Sequence, residues 1–221
     1  MNSIPYKLIR AKRKTLALVI REDGTLEVRA PSFYPVESIE RFIAEKQSWV
    51  AKKRSQILAR PKAPVHEFIE GEYFPYRGKS YPLLFSEKAK QPYVGSALVF
   101  PARNRKSPKR ALVRWYRSEA ERVITHRVAE LSRKFGFSYQ SVSINSAGRR
   151  WGSCNSRGAL NFTYRLIMAA DDLIDFVILH ELCHTVHQNH SSSFYDALRI
   201  VLPDHEERSR RLKTVARSLA L

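Results

Sequence analysis

The stretch HELCHTVHQNH, residues 180–190, holds four of the chain's seven histidines, with a glutamate beside the first. It follows the apolar run FVIL, residues 176–179. A helix entered through that run is buried, and a buried helix cannot carry so many ring nitrogens unless they have partners. Helical positions i and i+4 lie on one face, so His180 and His184 aim two imidazoles at one point. That spacing is how HExxH grips a metal, and Glu181, about 100° further round the helix, is set to take a proton from the water the metal polarises. Such an ion lowers the pKa of a bound water to about 7, which makes hydroxide available at neutral pH. A catalytic zinc takes three protein ligands and leaves one position open. The expected cofactor is therefore one Zn2+, although other divalent ions also fit this ligand set.

The third ligand has several candidates. His190 follows Asn189, a residue able to end the helix in a left-handed conformation and swing the chain back toward the metal. His187 shares the face but lies about 10 Å along the axis from His180, too far for one tetrahedral site. Glu206 and Glu207 offer carboxylates from further along the chain. The Asn-His-Ser break favours His190. Cys183, inside the helix, reads as a small buried hydrophobe, while the Cys154 thiol is a further ligand if the fold brings it near.

The surrounding chain reads as α+β. TLALVI and TLEVRAP flank REDG as a hairpin, and residues 36–58 read as one amphipathic helix. Residues 59–64 form a Pro-punctuated connector. FIEGEYFPYRGKSYPLLF (68–85) reads as short strands and NRKSPKR (104–110) as an exposed loop. A long helix spans about 111–135, with strands at SVSIN (141–145) and ALNFTYRLIM (159–168). The metal-site helix starts after Ala170, where Asp171 or Asp172 caps it, and runs through His187. SSSFYDALRIVL restarts a helix, with Ser193 and Asp196 as a capping box. This organisation suggests a β-rich N-terminal lobe with one helix, residues 1–110, and a zincin-like metal-binding lobe, residues 111–221.

The motifs RWGSC (150–154), LNFTYRL (160–166), HELCH (180–184) and NHSSSF (189–194) together resemble the YgjP-like metal-dependent hydrolases, which are grouped with the WLM and SprT-type zincin metallopeptidases. RKTLALVIREDGTLEVRAP and ERFIAEKQSWVAKK look like the same family's opening. The resemblance implies that His180, His184 and His190 carry the metal, with Glu181 as catalytic base. It implies a metallopeptidase acting on polypeptide or, as the alternative, a nucleoside triphosphate pyrophosphohydrolase of UTP type.

A hydrolysis also needs a group that stabilises a developing oxyanion, and Arg149, Arg150, Arg165 and Tyr195 are the candidates. The polar face of LNFTYRL fits an edge strand pairing with a peptide; a covered strand would favour a small phosphorylated substrate. The net charge is +18, and nine Lys or Arg but no Asp or Glu lie between Lys88 and Arg117. Such clusters attract polyanions, which keeps a third reading open, a nucleic-acid-binding module with a structural metal. No apolar run approaches the roughly 20 residues of a membrane span. TLALVI is too short for a leader core, and two cysteines make no disulfide framework, so the expected location is the cytoplasm. The sequence leaves the oligomeric state open.

Overall fold

In the N-terminal part, Gly24 turns the REDG segment with φ +83°, a value that suits glycine. The strands it joins are β2 (Ala17–Ile20) and β3 (Leu26–Pro31), paired antiparallel, while β1 (Tyr6–Ala11) runs parallel along the other side of β3. Leu26, Val28 and Ala30 point inward and pack with Ile39, Ile43 and Val50. Those last three come from two helices, α1 (Val36–Glu45) and α2 (Gln47–Leu58). The single helix expected over 36–58 breaks at Lys46, and Trp49, expected on the apolar stripe, is exposed.

The structure is a computed structural model that describes residues 4–59, 64–219 and 221. The connector expected at 59–64 lies largely outside them. Helices and sheets are mixed, an α+β arrangement as the sequence implies. The chain divides into two compact units, Met1–Lys62 and Ala63–Leu221, not near residue 110. The reason is visible in the core of the second unit. Phe74, Leu83, Leu98 and Phe100, all before residue 110, pack in one cluster with Leu112, Tyr116, Phe162 and Ile178.

That second unit opens with β4 (Tyr73–Tyr76), β5 (Lys79–Ser86), β6 (Tyr93–Val94) and β7 (Leu98–Pro101), ordered β4-β5-β7-β6 in one sheet. A 3-10 turn, Ala102–Lys106, leads into α3 (Pro108–Phe135). The last three residues of the expected loop are therefore α-helical: Pro108 starts α3 because its fixed φ and missing N–H suit the first helical turn. Gly136, at φ +74°, ends α3. Next come β8 (Ser141–Asn145), β9 (Gly152–Cys154) and β10 (Ala159–Thr163), ordered β8-β10-β9. The strand expected to reach residue 168 stops at Thr163. Tyr164, Leu166, Ile167 and Met168 are all buried, so the run has no outward face to alternate with, and it winds into a 3-10 turn.

Three helices complete the unit: α4 (Asp171–Cys183), α5 (Ser192–Val201) and α6 (His205–Val215). α4 is apolar all round between Leu173 and Leu179, apart from Asp175, and is accordingly buried. Its acidic start does not cap by side chain as expected. Asp171 instead takes a two-pronged bond from Arg77, and Asp172 pairs with Arg211. Ser193 and Asp196 form no capping box either, since α5 begins at Ser192 and Asp196 pairs with Arg199. Among the described residues no helix is long and apolar enough to cross a membrane.

The turn between β4 and β5 fixes where α4 starts. The Arg77 and Gly78 amides donate to the Ile167 and Met168 carbonyls at 2.9 and 3.1 Å. Gly78 has φ +77°, and a Cβ there would stand 2.8 Å from the Ala170 Cα. Gly78→Ala is therefore expected to cost about 2 kcal/mol, lowering Tm by roughly 4–8 °C. An unchanged melting curve would mean that the turn does not hold this position.

Candidate metal centre

α4 ends at Cys183, one turn earlier than expected, because nearby side chains satisfy its last carbonyls. Thr185 Oγ1 donates to the Leu182 carbonyl and Gln188 Nε2 to that of His184, each at 2.7 Å. The chain then folds back, and His184 Nδ1 lies 2.8 Å from the His187 carbonyl. A carbonyl only accepts, so Nδ1 carries the proton and the lone pair of His184 sits on Nε2. That Nε2 is 3.2 Å from His190 Nε2, which in turn is 3.1 Å from His180 Nε2. All three side chains offer a ligand atom within 4.8 Å of the others. Tetrahedral zinc with Zn–N of about 2.0–2.1 Å sets its nitrogens about 3.3–3.4 Å apart, close to the two separations that His190 makes with His180 and His184. Burial, then the neighbouring His184 and His190, pushes His180 down to about 4, and burial also lowers His184. Both rings are then neutral near pH 7, the form that binds a metal.

Phe194, fully buried at the start of α5, supports all three rings. It stacks on His184 with centroids 4.4 Å apart and meets His180 and His190 edge-on at 5.0 and 4.9 Å. The sequence reading gave it no role, although its place four residues after His190, at a helix start, was a usable signal.

Glu181 points from α4 toward β9 and is 6% exposed. Burial pushes its carboxyl up to about 7, against the Arg150 charge and a hydrogen bond from the Cys154 amide, which both lower it. Gly152 is what lets it approach. A Cβ there would stand 2.7 Å from Glu181 Cγ and 2.8 Å from Oε1. The glycine of RWGSC is thus a requirement of the carboxylate. Gly152→Ala is expected to leave metal binding intact while displacing the carboxylate, and a shift of about 1 Å costs on the order of 100-fold in turnover. Parent-like turnover in that variant would separate Gly152 from the chemistry.

The model of the YgjP-like metallopeptidase domain matches residues 14–215. The chain belongs to the YgjP-like family. Its membership makes it a metallopeptidase-type, metal-dependent hydrolase. No curated protein matches the YgjP-like chain. Among solved structures, the zymogen of Pyrococcus abyssi abylysin, a metallopeptidase, is similar over 44% of this chain and 99% of its own, with 17% identity and a TM-score of 0.39. The metallopeptidase zymogen of Methanocaldococcus jannaschii jannalysin is similar over 41% of this chain and 93% of its own, with 20% identity and a TM-score of 0.37.

The other candidates of the YgjP-like chain scatter around this centre. Arg149 and Arg150 are exposed just before β9, and the Arg150 charge is felt at Glu181. Arg165 sits on the 3-10 turn rather than on a strand, half-buried over the Tyr164 ring at 5.8 Å. Tyr195 is 42% exposed with its ring 6.1 Å from that of His190. His187 contributes its backbone carbonyl, and Glu206 and Glu207 are exposed in the first turn of α6, outside the histidine group. Cys183 is buried, and burial raises its thiol to about 11. Cys154 lies outside the histidine group, its Sγ 3.3 Å from the Asn155 carbonyl.

The strand carrying LNFT, β10, is not an edge. It lies between β8 and β9, so β9 takes the edge nearest Glu181. Thr163 N–H bonds the Trp151 carbonyl and Asn155 N–H the Ala159 carbonyl, so the amide and carbonyl of Gly152 point away from β10.

Proposed function

We propose that the chain is a zinc-dependent peptidase in which His180, His184 and His190 hold one ion and Glu181 is the general base. The observation that carries this reading is the convergence of three imidazole nitrogens beside a buried carboxylate. When bound, the metal supplies Lewis acidity to a water and to a substrate carbonyl. The residues supply the rest. Glu181 accepts a proton from the attacking water and returns it to the leaving amine; its raised pKa suits both transfers. The bond from His184 Nδ1 to the His187 carbonyl holds that ring in one tautomer. An extended peptide would pair with the outward amide and carbonyl of Gly152 along the open edge of β9. That would lay its scissile bond next to Glu181, with Arg150, whose charge acts on Glu181, or Tyr195, whose ring is 6.1 Å from that of His190, as the candidate to meet the oxyanion. Two unpaired cysteines suit a reducing compartment, so the cytoplasm is the proposed location.

A second reading, nucleoside triphosphate pyrophosphohydrolysis, draws on the exposed Arg149 and Arg150, the latter close enough for its charge to act on Glu181, since guanidinium forks bind phosphate oxygens two at a time. One experiment separates the two. Metal-replete protein is given unfolded casein-like protein and a panel of nucleoside triphosphates. New peptide termini support the peptidase; pyrophosphate release without peptide products overturns it.

A further inference from the structure

The nine basic residues between Lys88 and Arg117 take no part in the proposed hydrolysis. The fold gathers several of them. β5 and β7 run parallel, so the segments that follow both leave the sheet at one end. Lys88 and Lys90 follow β5, while Arg103 and Lys106 follow β7 in its 3-10 turn. Arg103 donates to the Lys90 carbonyl at 2.8 Å, fastening one basic segment to the other. Arg105 pairs with Glu70 and Glu87, and among the described residues no carboxylate pairs with Lys88, Lys90, Arg103 or Lys106.

The same sheet leaves its outer face open. Alternation turns Leu83 inward, 1% exposed, and Leu84 outward, 40% exposed. The register sets Tyr73 beside Pro82 on one flank, and Leu84 beside Val99 and then Tyr93 on the other. Tyr73 and Tyr93 are 62% and 53% exposed. They stand on the two outer strands, β4 and β6, three strand spacings or about 14 Å apart across the sheet. Between them lies an apolar strip of Pro82, Leu84 and Val99.

An apolar face alone would suit a protein partner, but the basic rim asks for an anion. Planar rings on an open sheet beside unpaired cations match one ligand chemistry best: bases stack on the rings while phosphates meet the cations. A duplex keeps its base faces stacked away, a lipid surface has no rings to stack, and an acidic peptide does not offer a ring with every negative charge as a nucleotide does. We propose that the outer face of the β4-β5-β7-β6 sheet, with its rim of Lys88, Lys90, Arg103 and Lys106, binds single-stranded nucleic acid.

The test measures fluorescence anisotropy of labelled oligo-dT, oligo-U and a duplex of equal length, titrated with the full chain between roughly 50 and 200 mM salt. Single strands are expected to bind more tightly than duplex, and DNA against RNA tells which is preferred. Tyr73→Ala with Tyr93→Ala should weaken single-strand binding at least about tenfold and leave duplex binding unchanged. Lys88→Ser with Lys90→Ser and Arg103→Ser should reduce the salt slope for single strands by about 2. Lys52→Ser, Lys53→Ser and Arg54→Ser on α2 remove equal charge elsewhere and should change neither. All these side chains are at least partly exposed, and circular dichroism checks each variant's fold. Absence of binding at the lowest salt overturns the proposal. So does binding that ignores the tyrosine pair and falls equally with either cation triplet, since net charge alone then explains it. Equal capture of polyglutamate or anionic vesicles, lost with the same variants, would assign the face to another partner and likewise overturn it.

Discussion

Glu181→Gln is expected to bind metal as the parent does and to turn over substrate about 10²–10⁴ times more slowly. The substitution keeps the side chain's size, which matters because Glu181 is 6% exposed and fills the space that Gly152 leaves. The glutamine carbonyl can still accept the bond that the Cys154 amide gives the carboxylate. An amide cannot take a proton from water, so the base is lost while the scaffold stays. None of the three converging nitrogens belongs to residue 181, so metal affinity has no reason to fall. Rates of peptide hydrolysis beside a metal titration of the same preparation check both halves. Full turnover would remove Glu181 from the mechanism, and lost metal would make it a ligand.

Phe194→Ala is expected to cost about 3–5 kcal/mol of stability, the range for emptying a fully buried aromatic site. For a chain of this size that is a fall in Tm of roughly 6–20 °C. The cavity would open beneath His180, His184 and His190 together, since the Phe194 ring touches all three imidazoles. Metal affinity should therefore fall as well, the ligands having lost the surface that orients them. Ile200→Ala on the same helix is the control, because Ile200 is 81% exposed and its loss should cost almost nothing. Equal melting temperatures for the two variants would show that Phe194 does not support the site.

Local signals made part of this molecule legible. His180 and His184 meet because i and i+4 share a helical face, and the REDG hairpin forms because Gly24 takes the left-handed turn. Gly136 ends α3 for the same local reason. What escaped depends on contacts distant in sequence. α4 stops at Cys183 because Thr185 and Gln188 close its carbonyls, which no periodicity reveals. β10 and β9 each look like a strand, but which of them is the edge follows from the β8-β10-β9 order. Gly152 reads as an ordinary turn glycine until Glu181 lies against it. A boundary near residue 110 follows a change in composition, whereas the core joins Phe74 and Leu98 to the helices beyond it.

The central claim is that α4 and the bend after it grip one divalent ion through His180, His184 and His190. Its most direct test is metal content and affinity, by elemental analysis and chelator competition, for the parent, His190→Ala and His187→Ala. One zinc per chain is predicted for the parent and for His187→Ala, whose backbone carbonyl still holds His184. His190→Ala should lose affinity by 100-fold or more, about 3 kcal/mol. A parent that neither carries nor takes up a transition metal, or a His187→Ala variant that loses it while His190→Ala keeps it, would contradict the account.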